Sequence, residues 1–226
     1  GNIGAMLDKA KELNFEVEVL TGDVKSIDEL FEEYKLDDPW KDWINSYKAV
    51  CERLAGYKNK AVSEYDTALL IDIWRSPVNG VAGVRPGNLS LKEFDLLLED
   101  LPEITSKIVD APSSETLLST YSWAKKAKKD GKFKSIKWGV INRVFCAANP
   151  HKYSTLLNEE ELKNLVKKLN DLFNIGIVDS NNWAQLNQNL MEAIKAQGLQ
   201  DEDTYLLNTF AWKLLELFVK PKNENN

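Results

Sequence analysis

From Ser26 to Val219 apolar residues return every three or four positions, and this period restricts what the chain can fold into more than any other feature. Trp40, Trp43, Ile44, Tyr47, Val50, Cys51 and Leu54 recur in this way behind Pro39, which a first helical turn tolerates, and Gly56 is a natural stop. Val62, Tyr65, Leu69, Leu70, Ile73 and Trp74 predict a helix over 60–74 with a broad, deeply buried face, ended before Ser76-Pro77. Ser26 with Glu29 and Ser90 with Glu93 read as capping boxes, and Asn158 with Glu161 opens a helix that runs to Phe173. Pro102 ends or restarts the helix begun at Ser90. Further helices are expected over 26–35, 113–129, 135–148, 182–196 and 203–219. One segment departs from the pattern: Phe15, Val17 and Val19 alternate with Glu16 and Glu18, as in a short extended strand. One strand makes no sheet, so the expected fold is all-α, a compact domain of nine or ten helices without a recognisable repeat.

The 226 residues suffice for one large domain or two small ones. The expected division is an extension or cloning scar with the extended segment at 1–22, a helical domain at 23–220, and a linker or chain end at 221–226. A split of the helical part into two subdomains would fall near 100–112. No apolar run approaches the roughly 18 residues of a spanning helix, and the start lacks the basic and apolar blocks of a secretory signal. A cytoplasmic protein without membrane contact is the corresponding expectation. Cys51 and Cys146 are the only cysteines and His151 the only histidine, which argues against a disulfide scaffold, a cysteine-rich zinc site and most histidine chemistry. His151 lies near Ser154, but no carboxylate is spaced to orient it in a recognisable motif. No catalytic residue, metal ligand or cofactor is therefore assigned, and no enzyme activity is expected of this stretch.

Charge is segregated along the chain. Between Trp123 and Arg143 stand eight basic residues, Lys125, Lys126, Lys128, Lys129, Lys132, Lys134, Lys137 and Arg143, against Asp130 alone. That is a net of +7 in a chain of −6, leaving −13 for the rest. Trp123, Phe133 and Trp138 interleave with the lysines, a pattern that suits phosphates beside stacked bases. The competing reading is a solvated helix end, its lysines facing the negative pole of the helix dipole. The turn-rich stretch 75–89 is expected to be an ordered loop anchored by Val78, Val81, Val84 and Leu89. Its Arg75 and Arg85 can clamp a phosphate or simply decorate a structural turn. The spacing of its glycines is not that of a P-loop. Trp40, Trp43, Trp74, Trp183 and Trp212 fall on apolar helical faces and read as core.

The succession Ile71-Asp-Ile-Trp74, Asn79-Gly80-Val-Ala82, Pro86-Gly87-Asn-Leu-Ser90, Asn142-Arg143 through Asn149-Pro150, Tyr153-Ser-Thr155 and Asn208-Thr-Phe-Ala-Trp212 resembles the region ahead of the ATPase module in McrB-like proteins. These are the GTP-hydrolysing AAA+ subunits of methylation-dependent (type IV) restriction systems. The resemblance spans roughly residues 65–219. It implies a non-catalytic N-terminal DNA-recognition or targeting domain in phage defence, acting on methylated or otherwise modified DNA. It also implies an AAA+ module in the same longer chain, beginning near the polar C-terminus, and a nuclease subunit as partner. N-terminal domains of that family differ in fold and several well-known ones are β-rich; the helical pattern of this chain departs from those. On this reading Lys125, Lys126, Lys128, Lys129, Lys132, Lys134, Lys137, Arg143 and Lys152 meet phosphates, while Trp138, Tyr153 and the loop bearing Arg75 and Arg85 approach bases. The alternative is a helical interaction or scaffolding module of a larger assembly.

Overall fold

The computed structural model describes residues 25–36 and 41–220; the expected extended segment at 15–19, Pro39, Trp40 and the 221–226 tail lie outside them. Among the described residues there are ten α-helices and no strand beyond a single antiparallel bridge between Val78 and Gly83, so the chain is an all-α domain. The helices are α1 (Ile27–Lys35), α2 (Lys41–Ala55), α3 (Thr67–Leu70), α4 (Leu91–Leu97), α5 (Leu101–Asp110), α6 (Ser114–Lys129), α7 (Trp138–Ala148), α8 (Glu159–Phe173), α9 (Trp183–Ile194) and α10 (Thr204–Phe218). Two of them, α3 and α9, run on into five-residue π turns, Ile71–Arg75 and Lys195–Leu199.

Local chemistry sets most of the starts. The Ser26 amide donates to Glu29 Oε2 at 2.7 Å, and the Ser90 amide to Glu93 Oε2 at 2.9 Å. Asn158, Asn182 and Asp203 each accept two amides of the turn they open, which satisfies donors that a helix N-terminus leaves free. Pro102 restarts the chain as a helix, since it stands in the first turn of α5. The helix expected over 60–74 is shorter than its apolar spacing suggested. Val62–Glu64 is only a 3-10 turn, Val62 is exposed, and α3 begins at Thr67 beneath Asp66. The reason is a competing local arrangement. Tyr65 packs on Tyr57 with ring centroids 5.0 Å apart, and Asp66 takes the Leu69 amide and the Tyr57 hydroxyl. Likewise α7 starts at Trp138 and not at 135.

The centre of the domain is α7. Every residue from Val140 to Ala147 is buried, including Asn142 and Arg143, as in a helix enclosed on all sides. It packs against α2, α5 and the π turn after α3, while α8 and α9 adjoin each other, and α10 reaches α1, α2 and α8. One hydrophobic core runs from Ile27 to Leu215. No helix among the described residues is long and apolar enough to cross a membrane.

Candidate functional site

Two irregular segments, 76–89 and 149–158, meet beside α7, and buried polar side chains fix both. Arg143 is fully buried and spans the first. Its Nη1 donates to the carbonyls of Ser76 (2.8 Å) and Ala82 (3.1 Å), and its Nη2 to that of Ile73 (3.0 Å). Asn79 ties the loop to itself, donating to the Asp72 carbonyl and accepting the amides of Val81 and Ala82. Gly80 lets the loop touch α2, since a Cβ there would stand 2.2 Å from the Ser46 carbonyl oxygen. In the second segment Asn187 Oδ1 accepts from the Ser154 amide and hydroxyl. Trp183 donates to the Leu156 carbonyl, Asn142 to that of Leu157 and Asn208 to that of Pro150.

A cleft of about 770 Å³ opens where these segments face the start of α7 and the side of α6. Arg85, Lys125 and Lys137 are its cations; Glu159 and Glu160 are the acids on its wall, so its net charge is +1. Glu159 is held by Lys163 at 2.7 Å. Trp138 lies in the same wall, 39% exposed, with its ring 4.6 Å edge-on from Tyr121. Burial pushes the Tyr121 phenol up, so the hydroxyl stays protonated and donates to Asn142 Oδ1 at 2.7 Å. A second cleft of about 470 Å³ adjoins it and shares Gly83, Arg85, Leu157 and Asn158 with it. Trp43 and Trp212 line this lobe, and Lys220, paired with Glu161, sits over the Trp212 ring at 5.6 Å.

The remaining expected contact residues divide. Lys126, Lys128, Lys129 and Lys152 are exposed but outside the cleft wall, and Arg75 is half-buried at the end of the π turn, lining neither lobe. Lys134 reaches neither lobe and lines a separate depression with Lys132 and Lys137. Lys132 is tied to Asp100 at 2.7 Å. Two expectations are overturned outright. Arg143 has no exposed surface to offer a phosphate, because its donors organise the 76–82 backbone. Tyr153 is buried against Phe145 and Trp183, and its hydroxyl donates to the Pro112 carbonyl at 2.9 Å, so it cannot approach a base. The interleaved aromatics are also mainly internal. Phe133 is buried and Trp123 packs edge-on between it and Trp74, which leaves Trp138. Val78, expected as an anchor, is exposed, whereas Val81, Val84 and Leu89 are buried.

Trp43 and Trp212, read as core, are half-buried wall residues. A signal was available for Trp212. Glu216 follows it at i+4 and accepts its indole N–H at 3.2 Å, which marks a ring at the edge of an apolar face. His151 is exposed with Nδ1 3.0 Å from Thr204 Oγ1, while the Ser154 hydroxyl is committed to Asn187, so the two make no nucleophile–base pair. Burial pushes the Cys51 and Cys146 thiols up, away from the reactive thiolate. Among the described residues no group of three or more His, Cys, Asp or Glu is placed to hold a metal ion. Comparison with family models, curated proteins and solved structures finds no match for this chain.

Proposed function

We propose that the domain is a DNA-recognition module whose contact surface is the cleft between α6, the start of α7 and the 83–87 loop. The observation that carries this reading is the exposed ring of Trp138 sharing one wall with Lys125, Lys137 and Arg85. Lysine and arginine there release counterions from phosphates, and an exposed indole offers a face to a base. Glu160 and Asn181 stand in the same cleft as hydrogen-bonding groups for base edges, while the Asn158 side-chain oxygen is committed to capping α8. The surrounding lysines at 126, 128, 129 and 134 extend the positive field beyond the cleft.

The resemblance to McrB-like proteins supplies the wider setting of this proposal: a non-catalytic targeting domain of a cytoplasmic restriction NTPase, working with an AAA+ module and a nuclease subunit on modified DNA. The test is fluorescence anisotropy with short labelled DNA, methylated and unmethylated, at low salt. The wild-type chain is expected to bind at micromolar concentration or tighter, and the double variant Lys125→Glu/Lys137→Glu to lose about tenfold or more while keeping its helical circular dichroism. Equal binding by the folded double variant would remove the cleft from consideration. No binding by the wild-type chain would favour the helical interaction module instead.

A further inference from the structure

We infer that the cleft and its neighbouring lobe together accept two successive bases of a single strand, with the phosphate between them on Arg85; this rests on the nucleic-acid reading above. The two cavities are not independent. They meet along Gly83, Arg85, Leu157 and Asn158, and each is lined by two aromatic residues, Tyr121 and Trp138 on one side and Trp43 and Trp212 on the other, with Lys220 over one face of the Trp212 ring. Arg85 is the one cation that lines both, and a guanidinium presents paired donors to phosphate oxygens. Cavities of about 770 and 470 Å³ both fall in the range that holds small planar ligands.

The four shared residues form the boundary between the lobes. Gly83 lies on it, yet the fold does not require a glycine there: a Cβ would meet only Val78 Cγ2, at an ordinary 3.7 Å. This contrasts with Gly80 three residues earlier, where α2 leaves no room. A boundary position without a side chain between two aromatic lobes allows close approach of a ligand's own chain. A duplex keeps its bases stacked on one another and has no pair of faces to divide between two cavities. A single strand can splay adjacent bases, and stacking on aromatic side chains is tolerant of sequence.

The experiment compares a labelled oligothymidylate with the same strand annealed to oligoadenylate, and thymidine monophosphate with the dinucleotide. The single strand is expected to bind about tenfold tighter than the duplex, and the dinucleotide to bind tighter than the mononucleotide. Trp212→Leu, which keeps an apolar side chain on α10, is expected to weaken single-strand binding about fivefold or more and leave duplex binding unchanged. Arg85→Ala is expected to remove the advantage of the dinucleotide, with unfolding midpoints confirming that both variants are folded. Duplex binding as tight as single-strand binding, or a folded Trp212→Leu with unaltered affinity, would overturn the two-base site. If Lys125→Glu/Lys137→Glu still abolished binding in that case, the reading of the first cleft would survive. Loss of all binding by the wild-type chain would overturn both.

Discussion

A guanidinium with no exposed surface and, among the described residues, no direct carboxylate partner is an unusual core residue, and Arg143 acts as a backbone organiser. Its three hydrogen bonds collect the carbonyls of Ile73 in the π turn, of Ser76 at its end and of Ala82 in the loop beyond. Burial lowers its pKa to about 10, against the opposing pull of the Asp72 carboxylate, so it is still a cation at neutral pH. Among the described residues its Nε is the one buried side-chain nitrogen or oxygen without a partner, a cost the other contacts offset. Replacing Arg143 with Met keeps much of the volume and strands the three carbonyls. The expected loss is about 3–5 kcal/mol of unfolding free energy, measured by urea denaturation. A loss below about 1 kcal/mol would mean that water or a neighbour satisfies those carbonyls as well.

At the scale of elements, the lysine segment is positioned by Glu93 as much as by its own helices. This buried carboxylate closes the capping box of α4 and also accepts the Lys134 amide at 3.1 Å, pinning the link between α6 and α7. Desolvation raises its pKa, but the Ser90 and Lys134 amides, the Ser90 hydroxyl and the Lys137 charge outweigh that, and the net shift is downward. A depressed carboxyl contributes stability that is fully present above its ordinary value of 4.5 and is lost as pH falls through the folded value. Glu93→Gln is therefore expected to cost about 1–2 kcal/mol at neutral pH, with the gap from wild type closing in acid; urea titrations at both pH values measure it. A gap that stayed constant with pH would assign the loss to shape alone. The Glu93 box was legible in sequence because a cap is settled within four residues, as were the starts at Ser26, Asn158 and Asp203. Its second bond, to Lys134, was not, since it joins residues 41 apart. The same limit hid Arg143: charge places an arginine outside by default, and only the distant carbonyls of 73–82 reverse that. The 60–74 helix was overextended because apolar spacing cannot register Asp66 competing to start a helix beside a Tyr57–Tyr65 stack. Residue type and neighbourhood pick out Trp138 and Arg85, which line the cleft, whereas Trp43 and Trp212 become wall residues only where two loops fold beside them.

For the whole molecule the governing quantity is where charge ends up after folding. The chain carries −6 overall and +7 between Trp123 and Arg143. Folding withdraws Arg143 into the core and pairs Lys132 with Asp100, while Lys126, Lys128 and Lys129 stand outside the cleft wall. What remains at the cleft is Arg85, Lys125 and Lys137, faced by Glu159 and Glu160. These two distributions make different predictions for salt. If only the three cleft cations neutralise phosphates, the logarithm of the single-strand association constant should fall against the logarithm of salt concentration with a slope of about −2. If all seven lysines of the segment took part, the slope would be about −5. The acidic remainder of the molecule repels the rest of a long strand, so affinity should stop rising once an oligonucleotide outgrows the cleft. Anisotropy titrations over a series of salt concentrations and strand lengths decide the matter. A shallow slope with an early plateau in length supports a local, base-reading site. A steep slope that grows with length would instead make the exposed lysines of α6 a backbone-tracking surface, with Trp138 incidental to it.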